Sequence, residues 1–310
     1  MAAGTPSRNA LIGLFASIAL ASGKFAAGLV GQSTALMADG VESLADTVGS
    51  FIVWKSLRVA GRPPDDRHPY GYGRAEALAA LLVGVLLIGA VAFIVIESVS
   101  NMMKPHAAPA AWTLAVLVAV VASKEVLFRV VLKGAEAFDS DAARADAWHH
   151  RSDAITSAAA LVGVSVAIWG PAWFGAPSLV LADEVAALVA AGIITVTAWG
   201  LIKPALEELL DRSSADVAEA AARTAAGVEG VRWIEKAHAR KSGPGYWVDM
   251  HVHVDSAMRV DIAHALTGKI KAELRRAHPS IRQALIHIEP HEPEKNSGAA
   301  GIEAAGRGDR

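Results

Sequence analysis

The amino-acid sequence predicts an α-helical membrane protein with six transmembrane helices, followed by a C-terminal α+β domain. Of its 310 residues, 53% are hydrophobic, and the mean hydropathy is +0.35, which is too apolar for an ordinary soluble domain. The apolar excess lies before residue 204, in segments of about 20 residues, the length that crosses a bilayer. After Pro204 the pattern changes to alternating strands and amphipathic helices, which indicates a separate two-layer domain.

Six segments have the length and composition of a transmembrane helix. They cover residues 8–30, 34–60, 77–101, 110–133, 142–170 and 179–202. We expect the first to be retained, because its apolar run continues as a full span instead of ending at a small-residue cleavage site. Lysine and arginine concentrate before the first span and around the second and fourth connections, so the positive-inside rule places both termini in the cytoplasm. We therefore expect an integral protein of a bacterial inner membrane, with a cytoplasmic tail domain.

The tail domain is predicted to follow the order α-β-β-α-β. Its helices are expected over residues 214–226 and 259–277, and its strands over 231–238, 246–255 and 284–289. The second strand alternates strictly between apolar and polar residues, as a strand with one buried face does. The predicted division is a transmembrane domain over 1–204, a cytoplasmic domain over 205–291 and a disordered tail over 292–310, which is rich in Gly, Ala and charged residues.

Composition excludes several classes of function. The chain has no cysteine, so it has no disulfide framework, no thiolate metal site and no cysteine nucleophile. The net charge is −2, and no basic stripe indicates nucleic-acid binding. The side chains left to bind a metal are therefore carboxylates and imidazoles.

Two polar motifs interrupt the second and fifth apolar segments. Glu42 and Asp46 are four residues apart, as are His149 and Asp153, so each pair lies on one face of its helix. A carboxylate at the bilayer centre costs roughly 2.5–3.5 kcal/mol on insertion scales, so such groups are normally functional. Three carboxylates and one imidazole suit Zn²⁺, Fe²⁺, Co²⁺ or Mn²⁺. The alternative is a polar cluster that only fixes helix packing.

Charge balance predicts how this four-donor transport site would work. With a neutral His149, the three carboxylates carry three negative charges, which either a dication or protons can offset. Mutually exclusive occupancy by metal and protons is the physical basis of antiport. Asp39 precedes Glu42 by one turn, and we expect it to line an outer vestibule instead of binding metal.

Two further groups of residues could bind metal outside the spans. Asp65 and His68 in the second connection could hold an ion, although their local chemistry is better explained as a charged turn. In the tail, His251 and His253 share one strand face, and His287 and Glu289 share a face of a later strand. If these strands are adjacent, the four side chains form either a metal site or a solvated sheet face.

Three motifs together resemble the cation diffusion facilitator family of divalent-metal/proton antiporters. They are residues 36–46 (LMADGVESLAD), residues 65–76 (DDRHPYGYGRAE) and residues 149–153 (HHRSD), and the resemblance covers roughly 8–291. The resemblance implies a homodimer with V-shaped packing and a cytoplasmic, ferredoxin-like domain of the metallochaperone type. It also implies that the transport ligands are Glu42, Asp46, His149 and Asp153.

The chain departs from the family pattern in two places. Glu42 stands where members usually carry His, Asp or Asn, which puts the metal selectivity in doubt. Tyr72 stands where a third loop ligand is expected, which predicts a weak or absent site at Asp65 and His68.

The resemblance also assigns residues in the tail and at the membrane edge. Those at or near the positions that bind cytoplasmic metal are His251, His264, His287 and Glu289, with Glu235 where some relatives carry His. Arg74 and Asp211 match a charge pair that latches the dimer of relatives.

The function predicted from the sequence is proton-coupled export of a divalent metal from the cytoplasm. Zn²⁺ is the first choice because it binds most nitrogen and oxygen sites more tightly than Mn²⁺ or Fe²⁺, and Cd²⁺ is a further candidate. One alternative is a membrane-anchored metal sensor or assembly scaffold that transports nothing. A second is an intramembrane metalloenzyme, which the absence of a His-Glu-x-x-His pattern disfavours. No cofactor is predicted other than the transported metal.

Overall fold

The computed structural model describes residues 8–104, 107–137, 141–292 and 302–303. Within these ranges the side chains of residues 8–16, 130–131, 134–137, 141–150, 152 and 303 are not described. Six long helices occupy the predicted spans: α1 Arg8–Gly31, α2 Thr34–Ala60, α3 Ala75–Met102, α4 Trp112–Ala137, α5 Asp141–Phe174 and α6 Ala182–Leu209. The predicted class of helical membrane protein with a C-terminal α+β domain is confirmed.

Three stretches in the described part of the chain are long and apolar enough by themselves to cross a membrane. They are Ala75–Met102, Asp153–Phe174 and Pro177–Leu209. Helix α2 is long enough but carries several charged residues, including the Glu42 and Asp46 pair. Asp39 of α2 is buried and Glu42 and Asp46 are half-buried, so neighbouring helices shield the acidic face of α2 at least in part.

The chain divides into two compact units. One contains the residues up to Lys55 together with Ala80–Ile202, and the other contains Ser56–Ala79 together with the residues from Lys203 onward. The connection between α2 and α3 therefore groups with the tail domain. Helices α2, α3 and α6 each continue from one unit into the other.

Glycines bring α1 and α2 close together in the first unit. A Cβ added to Gly28 would lie 2.5 Å from the Met37 nitrogen, and one added to Gly40 would lie 2.6 Å from the Phe25 nitrogen. Such backbone approach is the usual role of small residues between membrane helices. The unit is held by an apolar core that includes Leu36 on α2, at 0% exposure.

The second unit contains a four-stranded sheet covered on one face by two helices. The helices are α7 Ala215–Ala226 and α8 Val260–Ala277, and the strands are β1 Val231–Ser242, β2 Gly245–Val254, β3 Ile281–Pro290 and β4 Ile302–Glu303. The sheet order is β3-β2-β1-β4, with β1 antiparallel to β2 and β2 parallel to β3. The parallel pair is joined through α8, as a βαβ crossover requires.

One face of this sheet forms the core of the tail domain. Val248, Met250 and Val252 of β2 are at most 1% exposed and pack against Leu274 and Ile270 of α8. The alternate residues of β2 point to the opposite face, which the helices leave uncovered. The disorder expected over residues 292–310 does not hold for Ile302 and Glu303, because these two residues pair with β1.

Candidate metal centres

The start of α2 is held by a buried carboxylate on α6. Asp183, at 1% exposure, accepts hydrogen bonds from the Ser33 hydroxyl at 2.9 Å, the Thr34 amide at 2.5 Å and the Ala35 amide at 3.2 Å. The Ser33 hydroxyl in turn accepts from the Leu36 amide at 3.2 Å. Free amides at a helix N-terminus attract negative charge, so this arrangement fixes where α2 begins.

Two acids of the predicted transport site, Glu42 and Asp46, lie two and three turns further along α2. Glu42 is half-buried and interacts electrostatically with Asp46, one turn away, and with Asp153 on α5. The backbone of His149 lies in α5, but its side chain is outside the described residues. The structure therefore brings together the three carboxylates predicted from the two motifs, on two different helices. It does not describe the fourth donor.

Asp39 has a different environment from the one we expected. Its side chain is buried at 4% exposure instead of lining an open vestibule. One carboxylate oxygen lies 2.9 Å from the Lys24 ammonium, and the other lies 3.3 Å from the Lys124 ammonium and 2.5 Å from the Ser157 hydroxyl. Two cations and one hydroxyl occupy its oxygens, so Asp39 is held within the helix bundle instead of being available as a metal ligand.

The loop residues Asp65 and His68 are brought together, but their donor atoms are engaged within the turn. The Asp65 carboxylate accepts a hydrogen bond from the Tyr72 hydroxyl at 2.6 Å and lies 3.3 Å from the His68 ring nitrogen. The bond from Tyr72, with a second from the His68 amide, holds the pKa of Asp65 below its ordinary value. The aromatic residue that replaces a third ligand thus stabilises the carboxylate directly.

In the tail, the parallel register of β2 and β3 assembles the predicted donors. His251 is paired with His287, and His253 is paired with Glu289. The His251 Nδ1 lies 2.6 Å from a Glu289 oxygen, and the His287 Nε2 lies 3.5 Å from the same oxygen. Ligand atoms of His251, His287 and Glu289 all lie within 4.8 Å of one another, a spacing that one small ion can bridge.

A second donor group shares Glu289 with the first. It consists of Glu235, His253 and Glu289, with the His253 Nε2 at 3.6 Å from Glu235 and 3.4 Å from Glu289. Partial burial opposes ionisation of Glu235, but Lys236 and His253 outweigh it and hold the pKa of Glu235 below its ordinary value. Sequence reasoning placed His253 on the correct face and among the four side chains that could form a tail metal site, but the family resemblance did not assign it as a ligand.

His264 lies on α8, outside both donor groups of the described residues. It lines an open groove that also includes His287 and Glu289. The structure therefore places it near the predicted tail site without bringing its ring into the cluster.

Arg74 and Asp211 are in direct contact within one chain, through Arg74 Nη2 and Asp211 Oδ1. Asp211 has a left-handed backbone conformation with φ 56°, which Asp tolerates better than most residues, and Arg240 lies 3.5 Å from the same oxygen. The hydrogen bond from Arg74 holds the pKa of Asp211 below its ordinary value. Both partners are nearly half exposed, so the contact by itself is worth about 0–1 kcal/mol.

Two family models match the chain almost end to end. The cation efflux transmembrane domain matches residues 10–210, and the cytoplasmic domain of cation efflux proteins matches residues 214–291. The boundary between the two models falls between α6 and α7.

Curated proteins from bacteria and plants resemble the chain over most of its length. The manganese efflux system protein MneP of Bacillus subtilis is 32% identical, with 91% of this chain and 95% of MneP covered. Metal tolerance protein C1 of Arabidopsis thaliana is 31% identical, covering 90% of this chain and 61% of that protein. The magnetosome protein MamB of Paramagnetospirillum magneticum is 27% identical, covering 85% of this chain and 87% of MamB. Among solved structures, a zinc form of a MamM CTD variant is 23% identical, with a TM-score of 0.27, over 28% of this chain and 96% of that one.

Proposed function

The chain belongs to the cation efflux family of divalent-metal transporters, and we propose that it exports a transition-metal dication from the cytoplasm in exchange for protons. The observation that carries this proposal is the electrostatic cluster of Glu42 and Asp46 on α2 with Asp153 on α5. Three neighbouring, half-buried acids on two apolar helices have no packing role that apolar residues would not fill at lower cost. With His149 as the fourth donor, they form a site for one dication.

Proton coupling follows from the charge of this site. When the metal leaves, three carboxylates remain in a low-dielectric region, where ionised groups in close contact take up protons. Protons from the outer side then replace the metal, and alternating access around a fixed site returns them to the cytoplasm. An inward proton gradient drives export under this scheme, with both termini and the tail domain on the cytoplasmic side.

The donor set supports two cargo ions above the others. Zn²⁺ is favoured by its high affinity for mixed oxygen and nitrogen sites. Mn²⁺ is favoured by the three carboxylates, since Glu42 supplies a hard oxygen at a position where His is one of the usual family residues. The relative MneP is named a manganese efflux protein, which supports the second choice.

Flux in proteoliposomes tests the proposal. Asp46→Ala and Asp153→Ala should each reduce metal-dependent proton counterflow at least a hundredfold without changing the folded yield. Glu97→Ala, which removes a carboxylate from α3 instead, is the matched control and should retain transport. Metal flux without proton movement would refute the antiport mechanism, and near-normal flux in either Asp46→Ala or Asp153→Ala would refute the four-donor transport site.

Glu42→His tests the cargo. Exchanging a carboxylate for an imidazole should shift the preference from Mn²⁺ toward Zn²⁺. An unchanged profile across Zn²⁺, Mn²⁺, Fe²⁺, Co²⁺ and Cd²⁺ would show that Glu42 is not a ligand. If the unmodified protein binds these ions but moves none of them, the sensor or scaffold function replaces the transport function.

We also propose that the tail domain dimerises and binds cytoplasmic metal. His251, His287 and Glu289 would hold the ion, with His253 and Glu235 adjacent. Neutral imidazole is the ligating form, so the affinity for Zn²⁺ should fall as the pH is lowered and protons compete with the metal. Zn²⁺ titration of a fragment from Leu206 to His291 measures this directly.

The controls for the tail fragment separate ligands from bystanders. His251→Ala and His287→Ala should weaken binding at least tenfold, whereas His238→Ala, on the exposed part of β1, should not change it. No Zn²⁺ binding at micromolar concentrations would refute the proposed tail site. Dimerisation through the Arg74 and Asp211 latch is measured separately, from the mass of the full chain in detergent.

A further inference from the structure

Two lysines lie inside the helix bundle beside the transport acids. Lys24 is on α1 and Lys124 is on α4, with only 12% and 14% of their side chains exposed. A buried ammonium in a membrane helix is as costly as a buried carboxylate, so its presence calls for a function. Neither residue belongs to the four predicted donors.

The contacts of Lys124 connect it to the transport site. Its ammonium donates to the backbone carbonyl of Asp153 at 3.1 Å, to the Ser157 hydroxyl at 3.0 Å and to Asp39 at 3.3 Å. Its charge also interacts with that of Glu42. Lys124 therefore contacts the backbone of Asp153 and acts electrostatically on Glu42, two of the three acids of the site.

Lys24 approaches the same acids from the opposite side of Asp39. Its ammonium lies 2.9 Å from the second oxygen of Asp39 and donates to the Ser43 hydroxyl at 2.9 Å. Ser43 is adjacent in sequence to Glu42, whose charge interacts with that of Lys24. The two ammonium groups and the Asp39 carboxylate form one network, which links α1, α2, α4 and α5.

The charges of this network match the cargo. Asp39 cancels one of the two lysines, which leaves one net positive charge beside the three site carboxylates. With a neutral His149, the empty region then carries two negative charges, and one bound dication makes it neutral. Without the lysines the loaded site would keep excess negative charge in a low-dielectric region, where unpaired charge is unfavourable.

We propose that Lys24 and Lys124 are fixed counter-charges that set the metal affinity of the transport site, with Asp39 offsetting one of them. This inference rests on the proposed transport site. Under it, the network of Lys24, Lys124 and Asp39 determines how tightly the site binds metal and how readily it releases metal, in addition to its role in helix packing. The lysines repel the bound dication and so permit its release, while Asp39 limits that repulsion.

Substitutions of opposite charge distinguish this role from packing, because they should move the affinity in opposite directions. Lys124→Met should tighten Zn²⁺ binding at least about tenfold, and Lys24→Met should change it in the same direction. Asp39→Asn should weaken binding by a similar factor. The double variant Lys124→Met with Asp39→Asn restores the net charge and should bind within about threefold of the parent. A packing role would weaken binding in every variant.

The experiment is Zn²⁺ titration of the full-length chain in detergent at one fixed pH. All variants carry His251→Ala, His287→Ala and Glu289→Ala, which together disrupt both tail donor groups because they share Glu289, so that tail binding does not obscure the membrane site. Asp46→Ala in this background tests the transport site itself: unchanged binding there would refute the site, and with it the basis of the inference.

Several results would overturn the counter-charge role while leaving the site intact. They are weaker or unchanged binding in Lys124→Met, or tighter binding in Asp39→Asn, with Asp46→Ala still abolishing binding. Lys124→Arg keeps the charge and should bind as the parent does, so a tightening there would also count against the proposal. If Lys124→Met does not fold, Lys24→Met and Asp39→Asn still decide between the two roles. Lys104→Met, which removes an exposed ammonium that contacts Ser100, is the control for general charge effects.

Discussion

Replacing Asp183 by alanine should destabilise the protein more than any other single change near the start of α2. The substitution removes the acceptor for the Ser33 hydroxyl and the Thr34 and Ala35 amides, all of which are buried. Alanine cannot accept a hydrogen bond, and the buried site offers little room for replacement water. Three donors are then left without a partner at the N-terminus of a helix, where their positive dipoles add.

The expected size follows from the bonds that are lost. Hydrogen bonds to a charged group are each worth roughly 1.5–3 kcal/mol, and the three share one carboxylate, so the losses do not add fully. We expect a decrease of about 3–5 kcal/mol in the free energy of unfolding. Ser33→Ala removes one of these bonds and the cap on Leu36, and should cost about 1–2 kcal/mol.

Equilibrium unfolding of the purified chain in mild detergent, followed by tryptophan fluorescence, measures both values. Asp183→Asn is the matched control, since it keeps one acceptor oxygen without the charge and should fall between the two. A loss of less than about 1 kcal/mol for Asp183→Ala, or a ranking in which Ser33→Ala is the more damaging change, would refute the reasoning.

Three further outcomes follow from packing and charge. Gly28→Val should sharply reduce the folded yield, because a Cβ there would lie 2.5 Å from a backbone nitrogen of α2, while Gly89→Val, with open space around it, should not. Met250 is 1% exposed, so Met250→Ala should lower the free energy of unfolding of the tail fragment by about 2–5 kcal/mol, measured by urea unfolding. A loss of less than about 1 kcal/mol would mean that the core collapses around the cavity. Arg74→Glu alone should lower transport and dimer content, and adding Asp211→Arg to it should partly restore both. If the losses of the two single variants simply add in the double variant, the two residues do not form a direct pair. Because the lowered pKa keeps Asp211 ionised from pH 5 to pH 8, the dimer content of the parent, in which Arg74 is intact, should be the same at both pH values.

Most of the fold could be predicted from the hydropathy of the long segments and from the alternation of apolar and polar residues in the strands. The six apolar segments became α1 to α6 because a bilayer-length apolar run has few other stable conformations. In the tail, strict alternation over residues 246–255 predicted both the strand β2 and the face that carries His251 and His253. The strand pairing that puts His251 opposite His287 was conditional on adjacency, which alternation alone does not establish.

The ionic network of the membrane unit was missed although a signal for it was present. Lys24 and Lys124 are charged residues inside apolar segments, and such residues are functional candidates by default. The positive-inside rule uses only the lysines and arginines near span ends, so it gives no role to Lys24 or Lys124. The burial of Asp39 could not be predicted from its own helix, because its partners come from three other helices and are separated from it by 15 to 118 positions.

Two features of the second unit depend on contacts between distant residues. The grouping of Ser56–Ala79 with the tail was not predicted, since nothing in the local sequence of that connection points to a partner. The short strand β4 lies in a segment whose composition is typical of disorder, and its two residues are ordered by pairing with Trp233 and Ile234. Composition indicates the average tendency of a segment to be disordered, but it does not show whether that segment pairs with the edge strand of a sheet.

One face of the tail sheet packs the core and the other carries the candidate metal donors, and this separation has an evolutionary consequence. Val248, Met250 and Val252 hold the core, while His251 and His253, between and beside them, face away from the helices. Substitutions on the outer face can therefore exchange one donor type for another without disturbing the packing on which folding depends. Under the proposed tail site, single mutations on the outer face would change the ion that the tail binds, and each variant would still fold because the inner residues are unchanged.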